Sequence, residues 1–168
     1  MDNIYGNIEI NPIECINRKY QKWIIRWNIQ PRFNDEYEQI GTVYNEQLVL
    51  HKPSVDEIKD IVLNGYNELI DQKIVSSFSW KGMSVWLSTE NQFNYKAAYD
   101  LAVMSQGKSL PTVFKFGTTE EPVYYAFETL EDISDFYVSA MAHINTCLAE
   151  GWKLKDSIDW SVYEKALE

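Results

Sequence analysis

The sequence predicts an α+β protein in which small antiparallel sheets, built from β-hairpins, pack with three main helices in one compact unit. Three observations carry this. The first fifty residues show strand-like alternation broken by turn residues. Three later stretches place apolar residues at helical spacing behind a capping side chain. Two short β-rich pairs are joined through Lys81-Gly82 and through residues 117–122.

In chain order, residues 4–10 are the first candidate strand and Trp23-Ile24-Ile25-Arg26-Trp27-Asn28-Ile29 the second. Pro31 is expected to close that second strand, since proline cannot donate to a ladder. After the polar stretch 34–38, residues 41–50 alternate and can pair back on it. His51-Lys52-Pro53 then breaks the β pattern, and Ser54-Val55-Asp56-Glu57 has capping-box spacing with its acids at the positive end of a helix dipole. Val55, Ile58, Ile61, Val62, Tyr66, Leu69 and Ile70 form one apolar stripe over residues 54–72. Gly65 lies inside that helix at a cost of roughly 1 kcal/mol against Ala, which suggests that it admits a close neighbour.

Residues 74–80 and 83–87 read as strands around the Lys81-Gly82 turn. Val85-Trp86-Leu87 then stops at a polar cap, where Thr89 and Gln92 have capping-box spacing. A second helix is predicted over 90–106, with Phe93, Ala97, Ala98, Leu101, Ala102 and Met104 inward and Gly107 as its C′ residue. Residues 112–116 and 123–127 form a further hairpin. Thr129 caps the longest helix, whose inward face is Ile133, Phe136, Tyr137, Ala140, Ile144, Cys147 and Leu148, and Gly151 is expected to stop it. Residues 153–159 and 160–167 read as short helical turns, the last capped by Asp159.

The chain of 168 residues is long enough to bury a core without metal or disulfide staples, and it is expected to be one domain, β-rich over 1–52 and α+β over 53–168. With 25 acidic against 15 basic residues the formal charge is −10, which argues against nucleic acid and anionic membranes as partners. Only Cys15 and Cys147 are present, without metal-ligand spacing, and read as unpaired thiols in a reducing compartment. The first residues carry neither a basic region nor an apolar run, and no stretch approaches the ~20 apolar residues of a membrane span. Synthesis in the cytoplasm is expected.

No arrangement of residues announces catalysis. His51 and His143 have no partner at zinc spacing, and there is no Gly-x-Ser-x-Gly or glycine-rich phosphate loop. Glu120/Glu121 and Glu131/Asp132 are adjacent in sequence, which does not set two carboxyls across a scissile bond; Glu131/Asp132 simply suits a helix dipole. The expectation is therefore no catalytic residue, no metal site and no cofactor. The candidates that remain are the tryptophans: Trp23 with Trp27, four apart on one face of a strand, and Trp80 with Trp86, flanking a turn. Exposed, they would serve a protein hot spot or stack on sugars; core packing is the commoner fate of such positions.

From about residue 53 to 159 the chain resembles a phage-encoded domain family of unknown function found in tail and tail-fibre-associated genes of tailed phages and prophages. The matching phrases are Lys73-Ile74 leading to Phe78-Ser79-Trp80-Lys81-Gly82, then Val85 to Leu87 with Ser88-Thr89-Glu90-Asn91-Gln92-Phe93-Asn94-Tyr95. They continue with residues 111–116, Thr129-Leu130, His143-Ile144 and the closing Lys153-Leu154-Lys155-Asp156-Ser157-Ile158-Asp159. The resemblance implies a virion structural or assembly protein that works by contact with other tail proteins or with copies of itself. It implies no catalytic residue. Such a role predicts an apolar patch or a symmetric interface of at least ~1,000 Å². The alternative, a carbohydrate-binding module, predicts coplanar exposed indoles.

Overall fold

The computed structural model describes residues 3–167, and the chain divides into two compact units. One holds the residues up to Leu69 together with those from Gly151 on; the other holds Ile70–Glu150. The division falls inside two long helices. It does not fall at residues 51–53, where the sequence changes element type.

The first unit is built on a four-stranded antiparallel sheet of β1 (Ile4–Gly6), β2 (Ile13–Asn17), β3 (Lys22–Phe33) and β4 (Gln39–Val49), in the order β1-β4-β3-β2. The pairing of residues 41–50 with the second strand holds. Register places Ile13 opposite Ile25, Trp23 opposite Val49 and Trp27 opposite Asn45. Alternation therefore sends Ile13, Ile25, Trp27 and Val49 to one face, where they meet Ile58 and Val62 of α1 (Val55–Ser76). The tight approach foreseen at Gly65 is that of Trp27: a Cβ on Gly65 would run into the indole. Asn28 has φ +52° in a bulge between Trp27 and Gln30, and its Nδ2 donates to Asn45 Oδ1 at 3.2 Å.

Three expectations for this region are corrected. Only Ile4–Gly6 of residues 4–10 is strand, and β2 lies in a stretch to which the sequence assigned no element. Pro31 does not close β3. Strand β2 reaches no further along β3 than Ile25, so at Pro31 a missing N–H breaks no ladder on that side. Helix α1 starts at its predicted cap, with the Glu57 N–H donating to Ser54 Oγ at 3.2 Å, but it continues to Ser76. Ile70 and Ile74, four apart, extend its buried stripe through the start of what read as a strand.

In the second unit β5 (Phe78–Trp80) and β6 (Met83–Val85) form a hairpin in which Trp80 pairs with Met83. Lys81 and Gly82 have φ of +48° and +76°, the doubly left-handed geometry of a two-residue hairpin turn. Helix α2 (Thr89–Met104) follows, then the hairpin β7 (Thr112–Gly117) and β8 (Pro122–Phe127), then α3 (Leu130–Asp156). Phe136 of α3 is the hub of the core, its ring 5.2 Å from Trp80, 5.0 Å from Tyr95, 5.3 Å from Phe116 and 5.2 Å from Phe127. Thr129 caps α3 as expected, accepting from the Asp132 N–H at 3.2 Å. Gly151 does not stop that helix: it is buried inside it, and the turn assigned to 153–159 is largely the end of α3. Asp159 caps α4 (Trp160–Lys165) of the first unit, whose Tyr163 hydroxyl donates to the Arg26 carbonyl at 2.9 Å.

The architecture is α+β, with small antiparallel sheets and helices. Among the described residues no helix is long and apolar enough to cross a membrane.

Candidate functional site

The tryptophan pairs do not form exposed platforms. Of these four, Trp27 and Trp80 are core residues, Trp23 is half-buried and Trp86 is open to solvent. Trp27 is used up against Gly65 and Ile25. Trp80 is used up against Phe127 and Phe136, and its Nε1 donates to Asp135 Oδ2 at 2.9 Å. An interaction role shared by Trp23, Trp27, Trp80 and Trp86 is thus corrected to core packing for Trp27 and Trp80.

Trp80 does support a polar cluster that the sequence did not suggest. The Lys81 Nζ donates to Asp132 Oδ1 at 2.5 Å and to the Tyr125 hydroxyl at 3.0 Å, while that hydroxyl donates to Asp132 Oδ2 at 2.7 Å. The ammonium also lies 4.3 Å from the Trp80 ring centroid. These groups border an open cleft of about 570 Å³, which Glu128, Glu131 and Asp135 also line. The bonds to Asp132 and Tyr125 hold the Lys81 ammonium protonated well above its ordinary range. Partial burial pushes the Asp132 carboxyl up, but the bonds from Lys81 and Tyr125 outweigh it and hold it below the usual carboxylate range. A lysine held as ammonium is no nucleophile at neutral pH. The cluster is a clasp that ties the β5–β6 turn to β8 and to the first turn of α3.

The two histidines and the buried arginine are similarly engaged. His51 Nε2 lies 2.7 Å from Glu57 Oε2 at the start of α1, and His143 Nε2 lies 3.6 Å from Cys147 Sγ with its ring against Phe78. Arg26 is buried between Glu14 at 2.9 Å and Glu46 at 3.1 Å. Among the described residues no group of three or more His, Cys, Asp or Glu could hold a metal ion.

Among the described residues, one of the apolar surfaces left in solvent is the outer face of α2. Phe93 is 72% exposed, Leu101 56% and Met104 82%, and Ala97 is exposed between them. These four were expected inward; Ala98, half-buried, and Ala102, fully buried, do face the core. The inner face belongs instead to Tyr95 and Tyr99. Tyr95 packs edge-on against Phe114 at 4.8 Å and Phe136 at 5.0 Å, and Tyr99 stacks on Tyr137 at 4.6 Å. At about 100° per residue, Tyr95 points away from both Phe93 and Ala97, so one helix carries two apolar faces. The outer stripe runs about 16 Å along the axis. Glu90 and Asp100 fall on this same face and Asn94 at its edge, with Asp100 bound by Lys96 Nζ at 2.7 Å. The signal that could have separated the faces is the pair of tyrosines four apart, which the expected inward face leaves out.

The family model described as Domain of unknown function (DUF4376) matches residues 57–167. That is well over half of the chain, which therefore belongs to this family. No curated protein and no solved structure matches it significantly.

Proposed function

We propose that this chain is a structural or assembly protein of a tailed phage or prophage, associated with the tail or tail fibre, and that it acts by protein–protein contact without catalysis. The observation that carries the contact reading is the outer face of α2, where Phe93, Leu101 and Met104 hold apolar area in water with nothing of their own chain over it. The tail assignment is supported by the resemblance over residues 53–159, which overlaps the family match at 57–167. On this reading the protein is made in the cytoplasm and acts either within the virion or during its assembly. The charge of −10 makes nucleic acid and anionic membranes poor partners. A sugar-binding module built on paired indoles loses its geometry with Trp27 and Trp80 in the core.

Co-expression with the products of neighbouring genes tests this. A tail protein is expected to co-purify with the chain, and Leu101→Glu, at an exposed position that leaves the core intact, is expected to weaken that capture at least ~10-fold. If no tail protein co-purifies and mass spectrometry of purified particles lacks the chain, the proposal fails.

A further inference from the structure

We propose that the cleft between Trp86 and the β7–β8 turn binds a neutral saccharide, with one sugar ring stacked on the Trp86 indole. The proposal stands apart from the contact reading of α2, and either can fail without the other.

The platform follows from strand alternation. Val85 and Leu87 are buried, so Trp86 between them is turned outward and is 57% exposed. Its backbone is held on both sides. The Leu87 N–H donates to the Val75 carbonyl at 2.9 Å, and the Trp86 carbonyl accepts from Asn91 Nδ2 at 2.8 Å. The indole is therefore presented from a fixed base, and little order has to be gained on binding. The turn across the cleft is fixed as well. The Thr118 N–H donates to the Glu121 carbonyl at 3.2 Å, and the Glu121 N–H to Thr118 Oγ1 at 3.0 Å.

The cleft has a volume of about 550 Å³, room for about one or two sugar rings. Its lining selects the ligand. The indole is the apolar side chain that lies open there, because Phe116 at the same cleft is buried. Around it stand the hydroxyls of Ser76, Ser84, Thr118 and Thr119, with one cation, Lys115, and one anion, Glu120. Among the described residues the Ser84 and Thr119 hydroxyls make no hydrogen bond, and Lys115 and Glu120 make no ion pair. These groups are free to serve a ligand.

The fitting ligand has one flat apolar face and a rim of hydrogen-bonding groups. A pyranose has both: axial C–H bonds on a ring face and hydroxyls at its edge. An apolar peptide side chain would leave the surrounding hydroxyls and both charges covered and unpaired. A nucleotide brings a base that can stack, but its phosphate would meet Glu120 beside a single cation, on a chain of charge −10. One charge of each sign favours an uncharged sugar. The site needs one indole, so it survives the burial of Trp27 and Trp80. An open cleft with a single platform binds weakly, with a Kd on the order of 1 mM.

Saturation-transfer NMR on the full chain tests this. The probes are methyl β-glucopyranoside, methyl β-galactopyranoside, N-acetylglucosamine and cellobiose, each at ~10 mM, about tenfold above that Kd. At least one is expected to take up saturation, most strongly at the C–H protons of one ring face. Trp86→Ala is expected to abolish the signal and Trp86→Phe to retain part of it. Lys115→Ala and Thr119→Ala are each expected to weaken binding at least ~3-fold. No saturation of any probe would overturn the proposal, and so would binding that persists in a folded Trp86→Ala chain. Should Trp86→Ala lower the unfolding temperature, the other two variants decide, and unchanged affinity in both overturns it.

Discussion

Gly65 and Trp27 show how a single position can carry a long-range contact. Gly65 stands out as a defect in a helical stripe, and that legibility comes from propensity alone. Its cause, an indole from a strand thirty-eight positions earlier (65 − 27), is not local and leaves no mark on neighbouring residues. Trp27 is only 1% exposed and has nowhere to retreat. Gly65→Ala is therefore expected to destabilise by about 1–3 kcal/mol as an overpacking change, despite the roughly 1 kcal/mol that Ala gains in an open helix. Urea unfolding measures it; a stabilised variant would show that the indole yields. The Lys81 clasp makes a second test at this scale. Asp132 has its folded pKa below its unfolded one, so its contribution is present above the ordinary carboxylate range and lost as pH falls through the folded value. Asp132→Asn should lower the unfolding temperature modestly at neutral pH, and the variant and wild type should converge near pH 2. A gap that persists in acid would assign the effect to something other than this charge. No pattern of single residues could have shown the clasp, because Lys81, Tyr125 and Asp132 come from a turn, a strand and a helix.

At the scale of elements, the helices were legible as helices while their phases and ends were not. Capping side chains are found within one residue of where spacing puts them: Ser54, Thr129 and Asp159 hold, whereas α2 is capped by Ser88, which accepts from the Asn91 N–H at 3.3 Å. The C-terminus of α2 shifts likewise. The Gln106 N–H donates to the Val103 carbonyl at 3.1 Å and the Gly107 N–H to the Ala102 carbonyl at 2.8 Å, so Gln106, at φ +55°, takes the C′ place expected of Gly107, which follows it at φ +82°. A side chain there is strained, and Gln106→Gly is expected to stabilise by about 1 kcal/mol. An unchanged denaturation midpoint would argue that Gln106 makes up the difference through contacts of its own. The inward face of α2 was misread because Phe, Leu and Met are fully apolar whereas Tyr carries a hydroxyl. Within the fold, two tyrosines with aromatic partners on β7 and α3 outcompete them. The surplus apolar face that results is the candidate site, so its residues were visible in the sequence and its exposure was not.

For the whole molecule, the change of pattern at residues 51–53 separates β from α and nothing more. The first unit joins the N-terminal sheet to the first part of α1 and to the segment after Gly151, and the family match at 57–167 includes the helical half of that unit without its sheet. Ile58, Val62 and Tyr163 bury against Ile25 and Trp27. A fragment of residues 53–168 should therefore expose that face, bind a hydrophobic dye and aggregate, while the full chain does not. A well-folded, dye-negative fragment would show that the N-terminal sheet is dispensable to the unit it covers. Strand β2 was missed because its buried residues are so few: Ile13 is buried and Cys15 half-buried, with Glu14 between them outside.

The two cysteines fall one in each unit, and this gives the molecule a pair of chemical clocks. Cys147 is 2% exposed and burial pushes its thiol up, so an alkylating reagent can reach it only in the moments when residues 70–150 open. Cys15, half-buried opposite Trp23 in β2, keeps time for the other unit. Read side by side in one denaturant series, the two labelling rates would tell whether the units open in a single event or each on its own schedule.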